Sequence, residues 1–245
     1  MAGIHFLDAK GPDGIRVYAV GDVHGRRDLI EAMHDRIGEE IARDGVADWR
    51  IVHLGDYVDR GPDTAGVLDF LTSRIAGEPR IVALAGNHDV ALVDFLAHGD
   101  RTQMFRRFGG NDTARSYGTH VDFATAATAE AGRQALARAM PQAHLDFLSG
   151  LPRAVAFGDF FFCHAGIRPS VPLERQDLEH LIGIREPFLS HPGLHPKVIV
   201  HGHTPHDEAE LMPNRVDLDT LAYASGRLTA LAVDGRTKRL LEVSG

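Results

Sequence analysis

Two carboxylates and an arginine lie within one short loop, Gly55–Gly61, of sequence GDYVDRG. Asp56, Asp59 and Arg60 follow an apolar stretch, and a buried strand that ends there would present them at its carboxyl end, where α/β folds bind ligands. A carboxylate there can hold a divalent cation, while a guanidinium can bind two phosphate oxygens at once. An aspartate-rich glycine loop can also be an ordinary turn, so this loop alone leaves both interpretations open.

Other loops of the chain carry the same kinds of side chain, each directly after an apolar stretch. They are GDVHG at 21–25, GNHD at 86–89, HAG at 164–166 and HGHT at 201–204. Carboxylate, amide oxygen and imidazole are ligands of divalent cations, and a pair of clustered ions needs a bridging carboxylate, flanking ligands and open positions for water and substrate. Any one of these motifs could arise by chance. Their combination in this order predicts a site for two metal ions.

Predicted strands and helices alternate ahead of the first three loops. Strands are predicted at 15–20, 50–54 and 80–84, and apolar residues at helical spacing indicate helices at about 28–44 and 64–75. Such alternation is typical of βαβ units with largely parallel strands, which bring the carboxyl ends of the strands to one edge of the sheet. The side chains of these loops can therefore converge.

The rest of the chain predicts further helices and a second set of strands. The segment of about 90–151 is helical in pattern and has no catalytic signature. The strands predicted after it lie at 154–157, 159–162, 197–200, 215–218, 228–233 and 239–243. Because no internal repeat or linker-like stretch is present, we expect one domain over 1–245, with 90–151 as a mainly helical insertion.

Composition narrows the class of protein. The 245 residues are 44% hydrophobic and 24% charged, which is typical of a globular chain, and the net charge of -8 argues against a surface for nucleic acid. The single cysteine, Cys163, excludes an intramolecular disulfide and a cysteine-based zinc cluster. No stretch has the length of a membrane span, and the first ten residues lack a secretory signal. We therefore expect a cytoplasmic protein.

The motifs together resemble those of the calcineurin-like metallophosphoesterases, and most closely those of the phosphoprotein phosphatase branch. GDVHG, GDYVDRG and GNHD match the first three motifs of that family, and HAG and HGHT match the later ones. The segment 111–118, with its Ser-Tyr-Gly, is similar to bacterial serine/threonine phosphatases. The resemblance covers most of the chain. It implies an α/β fold with two mixed β-sheets flanked by helices, a four-layer αββα sandwich with a dinuclear site at the sheet edge.

The resemblance implies a set of metal ligands, three for each ion and one that is shared. The ligands implied for the first ion are Asp22, His24 and His203. Those implied for the second ion are Asn87, His164 and His201. Asp56 would bridge the two ions. We expect manganese, with iron and zinc as alternatives, because all three accept nitrogen and oxygen ligands.

Catalytic roles also follow from the resemblance. A hydroxide held by both ions would attack phosphorus in line, without a phosphoenzyme intermediate. His88 would protonate the leaving group as general acid, and Asp59 would accept the other ring proton. Arg60 and Asn87 would bind phosphate oxygens. Arg185 is a further candidate for phosphate binding, and its alternative interpretation is a salt-bridged helix residue.

Three positions depart from the family pattern. Gly183 stands where bacterial members often have Trp, Asp89 stands where the eukaryotic enzymes usually have Glu, and Leu221 stands where Gly is common. None of the three is an implied ligand, so the departures leave the predicted metal site intact.

The resemblance predicts a metal-dependent hydrolase of phosphoric monoesters, a protein phosphatase acting on phosphoserine or phosphothreonine, or on phosphotyrosine. A diadenosine tetraphosphate hydrolase is the alternative, because that related enzyme shares all of these motifs. The sequence shows no clear adenine-stacking signature, although Trp49, Phe108 and Tyr117 have no predicted place. A non-catalytic scaffold would show degraded ligands, and none is missing. The expected partner is thus a phosphorylated protein or peptide, or a small phosphoester or dinucleotide, and neither nucleic acid nor a membrane.

Overall fold

Two five-stranded mixed sheets form the centre of the computed structural model, which describes residues 3–245. The first sheet contains, in spatial order, β10 (Thr237–Ser244), β9 (Arg227–Asp234), β1 (Arg16–Val20), β2 (Trp49–His53) and β3 (Ile81–Ala83). The second sheet contains β4 (Ala154–Phe157), β5 (Phe160–Cys163), β6 (Val198–His201), β8 (Arg215–Asp217) and β7 (Glu210–Leu211). The predicted fold class of two mixed sheets is confirmed.

Parallel pairing aligns the strands whose ends carry the polar loops. β1 pairs with β2 and β2 with β3 in parallel, so that Val20 lies opposite His53 and His53 lies opposite Ala83. In the second sheet β5, β6 and β8 are also parallel, and His201 at the end of β6 lies opposite Asp217. The carboxyl ends of these strands therefore share an edge within each sheet, as the βαβ pattern predicts.

Helices cover the outer faces of both sheets. They are α1 (Arg27–Asp44), α2 (Thr64–Gly77), α3 (Asn87–His98), α4 (Met104–Arg107), α5 (Gly110–Ser116), α6 (Ala126–Ala139), α7 (Gln142–Gly150), α8 (Leu178–Gly183) and α9 (Ala222–Ser225), with one 3-10 turn at Leu173–Arg175. Every regular element between β3 and β4 is helical in the described chain, which agrees with the helical pattern of 90–151. That this segment is an insertion within a single domain stays a prediction.

Three apolar clusters hold these layers together. Between the sheets, Val17 and Val52 of the first sheet pack with Phe162 and Val200 of the second. A second cluster joins the other face of the first sheet to α1 and α2, and a third joins the other face of the second sheet to α8. The order of layers is therefore helix, sheet, sheet, helix, the predicted αββα sandwich. Burial of this apolar surface is the main stabilising contribution to such a fold.

Most element bounds lie within two residues of the predicted ones. The short strand β7 has no counterpart in the predictions, because two residues cannot show the alternating pattern that marks a strand. Cys163 is buried in the cluster between β5 and α8, so it is a packed core thiol. No helix within residues 3–245 combines the length and the apolar character needed to cross a membrane.

Candidate active site

The polar loops that follow β1, β2, β3, β5 and β6 converge on one cavity of about 110 Å³. The predicted site residues that line it are Asp22, His24, Asp56, Arg60, Asn87, His88, Arg185 and His203. Asp59, His164 and His201 lie beneath this surface and are almost completely buried. The structure thus brings all of the predicted site residues to one region, from positions that span most of the chain.

Asp56 occupies the centre of the predicted metal ligands. Its Oδ2 atom lies 3.4 Å from His24 Nε2 and 3.4 Å from His164 Nε2. Two groups of candidate ligand atoms, each within a 4.8 Å span, share this carboxylate. One group adds His24 and His88, and the other adds His164 and His203. A carboxylate common to both groups is in the position that a bridging ligand needs.

The four imidazoles with predicted metal roles are all oriented in the same way. Each has an oxygen within hydrogen-bonding distance of Nδ1: the carbonyl of Val58 for His24, of Leu54 for His164 and of Gly202 for His201, and Asn87 Oδ1 for His203. A hydrogen bond of this kind fixes the proton on Nδ1. Nε2 of His201 and of His203 then has no hydrogen-bond partner among the described residues, whereas Nε2 of His24 lies next to Arg60 and Nε2 of His164 next to Asn87.

Asp22 lies against the loop that carries the last two histidines. Its Oδ2 accepts a hydrogen bond from the backbone N–H of His203, at 3.1 Å. A Cβ atom at Gly202 would lie only 2.0 Å from Asp22 Oδ1, so this approach requires glycine. Asn87 Oδ1 is 2.9 Å from His164 Nε2 and 2.8 Å from His203 Nδ1. The donors predicted for the two ions are therefore direct neighbours.

His88 is held by a chain of hydrogen bonds that reaches a helix of the middle segment. Its Nδ1 lies 2.7 Å from Asp59 Oδ2, and Asp59 Oδ1 accepts a hydrogen bond from Thr113 Oγ1 at 2.7 Å. Burial would lower the pKa of His88, but the charge of Asp56 and the hydrogen bond and charge of Asp59 raise it overall. In the structure His88 Nε2 lies 3.1 Å from Arg60 Nη2 and accepts from it, and a protonated His88 would instead donate from Nε2 once Arg60 binds phosphate.

Two arginines reach the cavity. The guanidinium of Arg60 lies 3.2 Å from His24 Nε2 and 3.1 Å from His88 Nε2, and it stacks over the ring of Tyr223 at 5.0 Å. Arg185 follows α8 and donates to the carbonyl of His203 at 3.2 Å. It forms no ion pair with any residue in the range 3–245, so the alternative interpretation of a salt-bridged helix residue is wrong.

A family model described as calcineurin-like phosphoesterase matches residues 15–231. This chain belongs to that family. The family's members use divalent metal ions and hydrolyse phosphoesters, so the protein is a metallophosphoesterase.

Curated relatives of this phosphoesterase have two kinds of name. The symmetrical bis(5'-nucleosyl)-tetraphosphatase of Pseudomonas fluorescens is 34% identical over 76 residues, which are 31% of this chain and 24% of that protein. The PP2A-like serine/threonine-protein phosphatase PPG1 of Saccharomyces cerevisiae is 31% identical over 107 residues, which are 43% of this chain and 27% of that protein. The matches thus span only about a quarter of these relatives' length.

Solved structures share the fold of this phosphoesterase over almost all of the chain. A protein provisionally described as a diadenosine tetraphosphatase superposes with a TM-score of 0.68 at 22% identity, covering 100% of this chain and 99% of that one. A Saccharomyces cerevisiae protein serine/threonine phosphatase superposes with a TM-score of 0.54 at 12% identity, covering 98% and 85%. At these identities the likeness shows the fold alone.

The donor set of this phosphoesterase fits divalent cations. Asp22 Oδ1, His201 Nε2 and His203 Nε2 are buried and have no hydrogen-bond partner among the described residues. Burial, together with the charges of Asp219 and other carboxylates, raises the pKa of Asp22 well above its usual range. Burial also lowers the pKa of His201 and of His203 to about 3. Neutral imidazoles beside crowded carboxylates are the ligands that a cation would satisfy.

Strained backbone is concentrated in the same loops. Eight non-glycine residues of the described chain have a positive φ, and five of them are predicted site residues: His24, Asp56, Asp59, Arg60 and His203. Such conformations cost energy and persist where surrounding contacts hold them. Asp89 provides such contacts, because its carboxylate accepts hydrogen bonds from the backbone of Asp56, Tyr57 and Gly86. Asp89, which stands where the eukaryotic enzymes usually have Glu, therefore holds the backbone of the Gly55–Gly61 loop.

Several residues at the site have no predicted role. They are Met104, Phe108 and Asp219 in the cavity lining, Tyr223 under Arg60, Thr113 behind Asp59, and Asp217 with its Oδ2 3.4 Å from His201 Nδ1. Asp217 ends β8 and Asp219 follows it. The other site loops are predicted because polar residues follow the carboxyl end of a strand, and the same criterion could have identified these two aspartates. The remaining residues lie in helical segments, where no sequence signal indicates that a side chain reaches the cavity.

Proposed function

We propose that this metallophosphoesterase is a protein phosphatase that removes phosphate from phosphoserine or phosphothreonine, or from phosphotyrosine. The observation that supports it most directly is the contact between Arg60 and His88, whose nearest nitrogens are 3.1 Å apart. A phosphate monoester bound through its oxygens to Arg60 would have its ester oxygen within reach of His88. The residue proposed to bind phosphate, Arg60, is thus in direct contact with the residue proposed to protonate the leaving group, His88.

The proposed ligands of two cations are the predicted ones. One ion would be held by Asp22, His24 and His203, and the other by Asn87, His164 and His201. Asp56 would bind both ions. The central position of Asp56 between the two groups of histidines supports this assignment. We propose manganese, with iron and zinc as alternatives. When bound, two such cations supply Lewis acidity that neutralises phosphate charge and activates water.

His88 would move the proton in this reaction. Its Nε2–H would donate to the ester oxygen as the bond to phosphorus breaks, which stabilises a leaving alkoxide or phenoxide. Asp59 accepts the hydrogen bond of Nδ1–H, and Thr113 holds Asp59 in turn, so the ring keeps one tautomer and one orientation.

Arg60 and Arg185 would bind the phosphate group. Arg60 is positioned by Tyr223, and its planar fork can bind two phosphate oxygens in parallel. Arg185 lines the same cavity from the segment after α8. Asn87 Oδ1 lies among the proposed metal ligands, 2.9 Å from His164 Nε2, so it would serve a cation, and the amide nitrogen would be left to donate to a phosphate oxygen.

The test is hydrolysis by the purified protein in the presence of manganese, with p-nitrophenyl phosphate and with phosphoserine, phosphothreonine and phosphotyrosine peptides as substrates. We expect phosphate release from at least one peptide. The Asp56→Asn variant, purified in the same way, controls for a contaminating phosphatase. A protein that leaves all four substrates intact would disprove the proposal.

Hydrolysis of diadenosine tetraphosphate is the second candidate function. The bis(5'-nucleosyl)-tetraphosphatases among the relatives support it as directly as the serine/threonine phosphatases support the first. Incubation with the dinucleotide, followed by chromatography of the products, separates the two candidates. A kcat/KM for the dinucleotide well above that for every phosphopeptide would favour the second.

A further inference from the structure

The ring of Phe108 is a large apolar surface beside the proposed acid. The residue is 45% exposed, and it lines the cavity together with Met104. Its ring centroid lies 6.4 Å from that of His88, with the planes at 81°. An exposed aromatic ring at the mouth of a polar cavity is available to contact a substrate.

The position of Phe108 is set by the loop that carries the phosphate-binding arginine. Gly109 has φ of +98°, and a Cβ atom there would lie 2.6 Å from the backbone nitrogen of Arg60. The same nitrogen donates to the Gly109 carbonyl at 3.4 Å. On the other side, the backbone N–H of Phe108 donates to the carbonyl of Met104 at 3.0 Å. The ring is therefore attached to backbone that contacts Arg60 directly.

Two aromatic rings, those of Phe108 and Tyr223, lie close to the residues proposed to bind and protonate the substrate. Tyr223 lies under the guanidinium of Arg60, and its ring is also 5.5 Å from that of His24, so it faces the metal-ligand side. The ring of the proposed proton donor, His88, lies 4.8 Å from that of His24 and 6.4 Å from that of Phe108, so it adjoins both. A group that receives a proton from His88 would have the Phe108 ring among its neighbours, because Phe108 lines the same cavity.

We propose that Phe108 is a specificity-determining residue that packs against an aromatic leaving group, and that the preferred substrate is phosphotyrosine in a peptide. The inference rests on the proposed phosphomonoesterase function and narrows it. The phenol ring of phosphotyrosine is bonded to the ester oxygen itself, so it lies within the first few ångströms beyond His88. The short aliphatic side chains of phosphoserine and phosphothreonine leave the ring of Phe108 largely uncovered.

Adenine does not match this position as well. In a dinucleoside polyphosphate the base is separated from the bond that breaks by a ribose and at least one further phosphate. Of the aromatic residues without a predicted place, Trp49 stacks with Arg80 and Tyr117 bonds to His144, and neither lines the cavity. Phe108 does line the cavity, and its ring lies close to His88, where the ester bond would break.

The test compares kcat/KM for a phosphotyrosine peptide and a phosphothreonine peptide with the same flanking residues. For Phe108→Ala we expect a loss of about 3- to 10-fold on the phosphotyrosine peptide, the range of one aromatic pair, and less than 2-fold on the phosphothreonine peptide. Phe108→Tyr should retain the preference. Leu7→Ala, at an apolar residue that is 71% exposed, is the matched control and should change neither value.

The two proposals fail in different ways. If the wild type hydrolyses neither peptide nor p-nitrophenyl phosphate, the proposed function fails and the role of Phe108 fails with it. If the wild type is active and Phe108→Ala lowers both peptides equally, or neither, only the role of Phe108 is overturned. A loss confined to diadenosine tetraphosphate would also overturn it, because the ring would then serve the base.

Discussion

His88 Nδ1 lies 2.7 Å from Asp59 Oδ2, and this contact joins the first turn of α3 to the loop after β2. Asp59 is followed directly by Arg60, whose guanidinium contacts the other nitrogen of the same ring. One loop therefore orients the proposed acid on one side and carries the phosphate-binding group on the other. The proposed role of His88 as general acid can therefore be tested by substitutions that leave the proposed metal ligands in place.

Replacement of His88 tests the general acid. We expect His88→Asn to lower turnover about 10²- to 10⁴-fold on a phosphopeptide, because the poor leaving group would depart without a proton. The loss on p-nitrophenyl phosphate should be smaller, since its leaving group is stable as an anion. Metal content, measured by mass spectrometry of the metal, should stay near that of the wild type. Unchanged turnover on the phosphopeptide would refute the role.

Replacement of Asp56 tests the shared carboxylate. Because its Oδ2 faces a histidine of each candidate group, Asp56→Asn should weaken both metal sites together. After dialysis we expect the wild type to retain about two ions per chain and the variant to retain fewer than one. The exposed histidine His98 provides a matched control, and His98→Asn should bind metal normally. Retention of two ions by Asp56→Asn would contradict the bridging role.

Replacement of Asp217 tests a residue outside the sequence motifs that lies next to the proposed metal ligand His201. The carboxylate is fully buried, with Oδ2 3.4 Å from His201 Nδ1. His201 Nδ1 is hydrogen-bonded to the Gly202 carbonyl, so Asp217 would act on this ring through its charge, and loss of such an outer group typically lowers metal affinity about 10- to 100-fold. A titration of activity against manganese concentration should show that shift for Asp217→Asn and none for the exposed Asp207→Asn. Identical titrations for the wild type and Asp217→Asn would remove Asp217 from the site.

A buried histidine pair away from the cavity predicts loss of stability in acid. His34 Nε2 lies 2.9 Å from His53 Nε2, and burial lowers the pKa of His34 to about 4 and that of His53 well below its usual value. The unfolded chain takes up these protons near pH 6.5, so the free energy of unfolding falls as the pH drops from about 6.5 toward 4. For His34 alone the loss is about 2 kcal/mol at pH 5.

Thermal unfolding of metal-loaded protein at pH 7 and pH 5 measures this effect. His34→Leu should lose less stability between the two pH values than the wild type, because the titrating group is absent. His98→Asn, which removes an exposed histidine, should behave like the wild type. Equal losses in the wild type and His34→Leu would show that the buried pair does not contribute.

Leu221 shows how a departure from a family pattern appears in the structure. Its φ is +58°, in the left-handed region, where the family commonly has glycine. The sequence alone shows that Leu221 is unusual at this position. The structure shows that Leu221 adopts the left-handed backbone conformation that glycine adopts readily. We therefore expect Leu221→Gly to retain activity and Leu221→Pro to lose the folded state in a thermal unfolding assay, because proline cannot adopt a positive φ.

The sequence by itself determined the order of the strands and helices and the side-chain types at the strand ends. Apolar stretches followed by GDVHG, GDYVDRG, GNHD, HAG and HGHT are local patterns, and parallel βαβ connections bring such ends together. Only the tertiary structure decided which atoms meet across the cavity. Thr113 and Gly109 lie in the helical middle segment, about 50 residues from the loop that they contact, and the approach of Gly109 to Arg60 brings the neighbouring Phe108 ring to the cavity. Such contacts depend on the packing of whole elements, which leaves no periodic signal in the residues themselves.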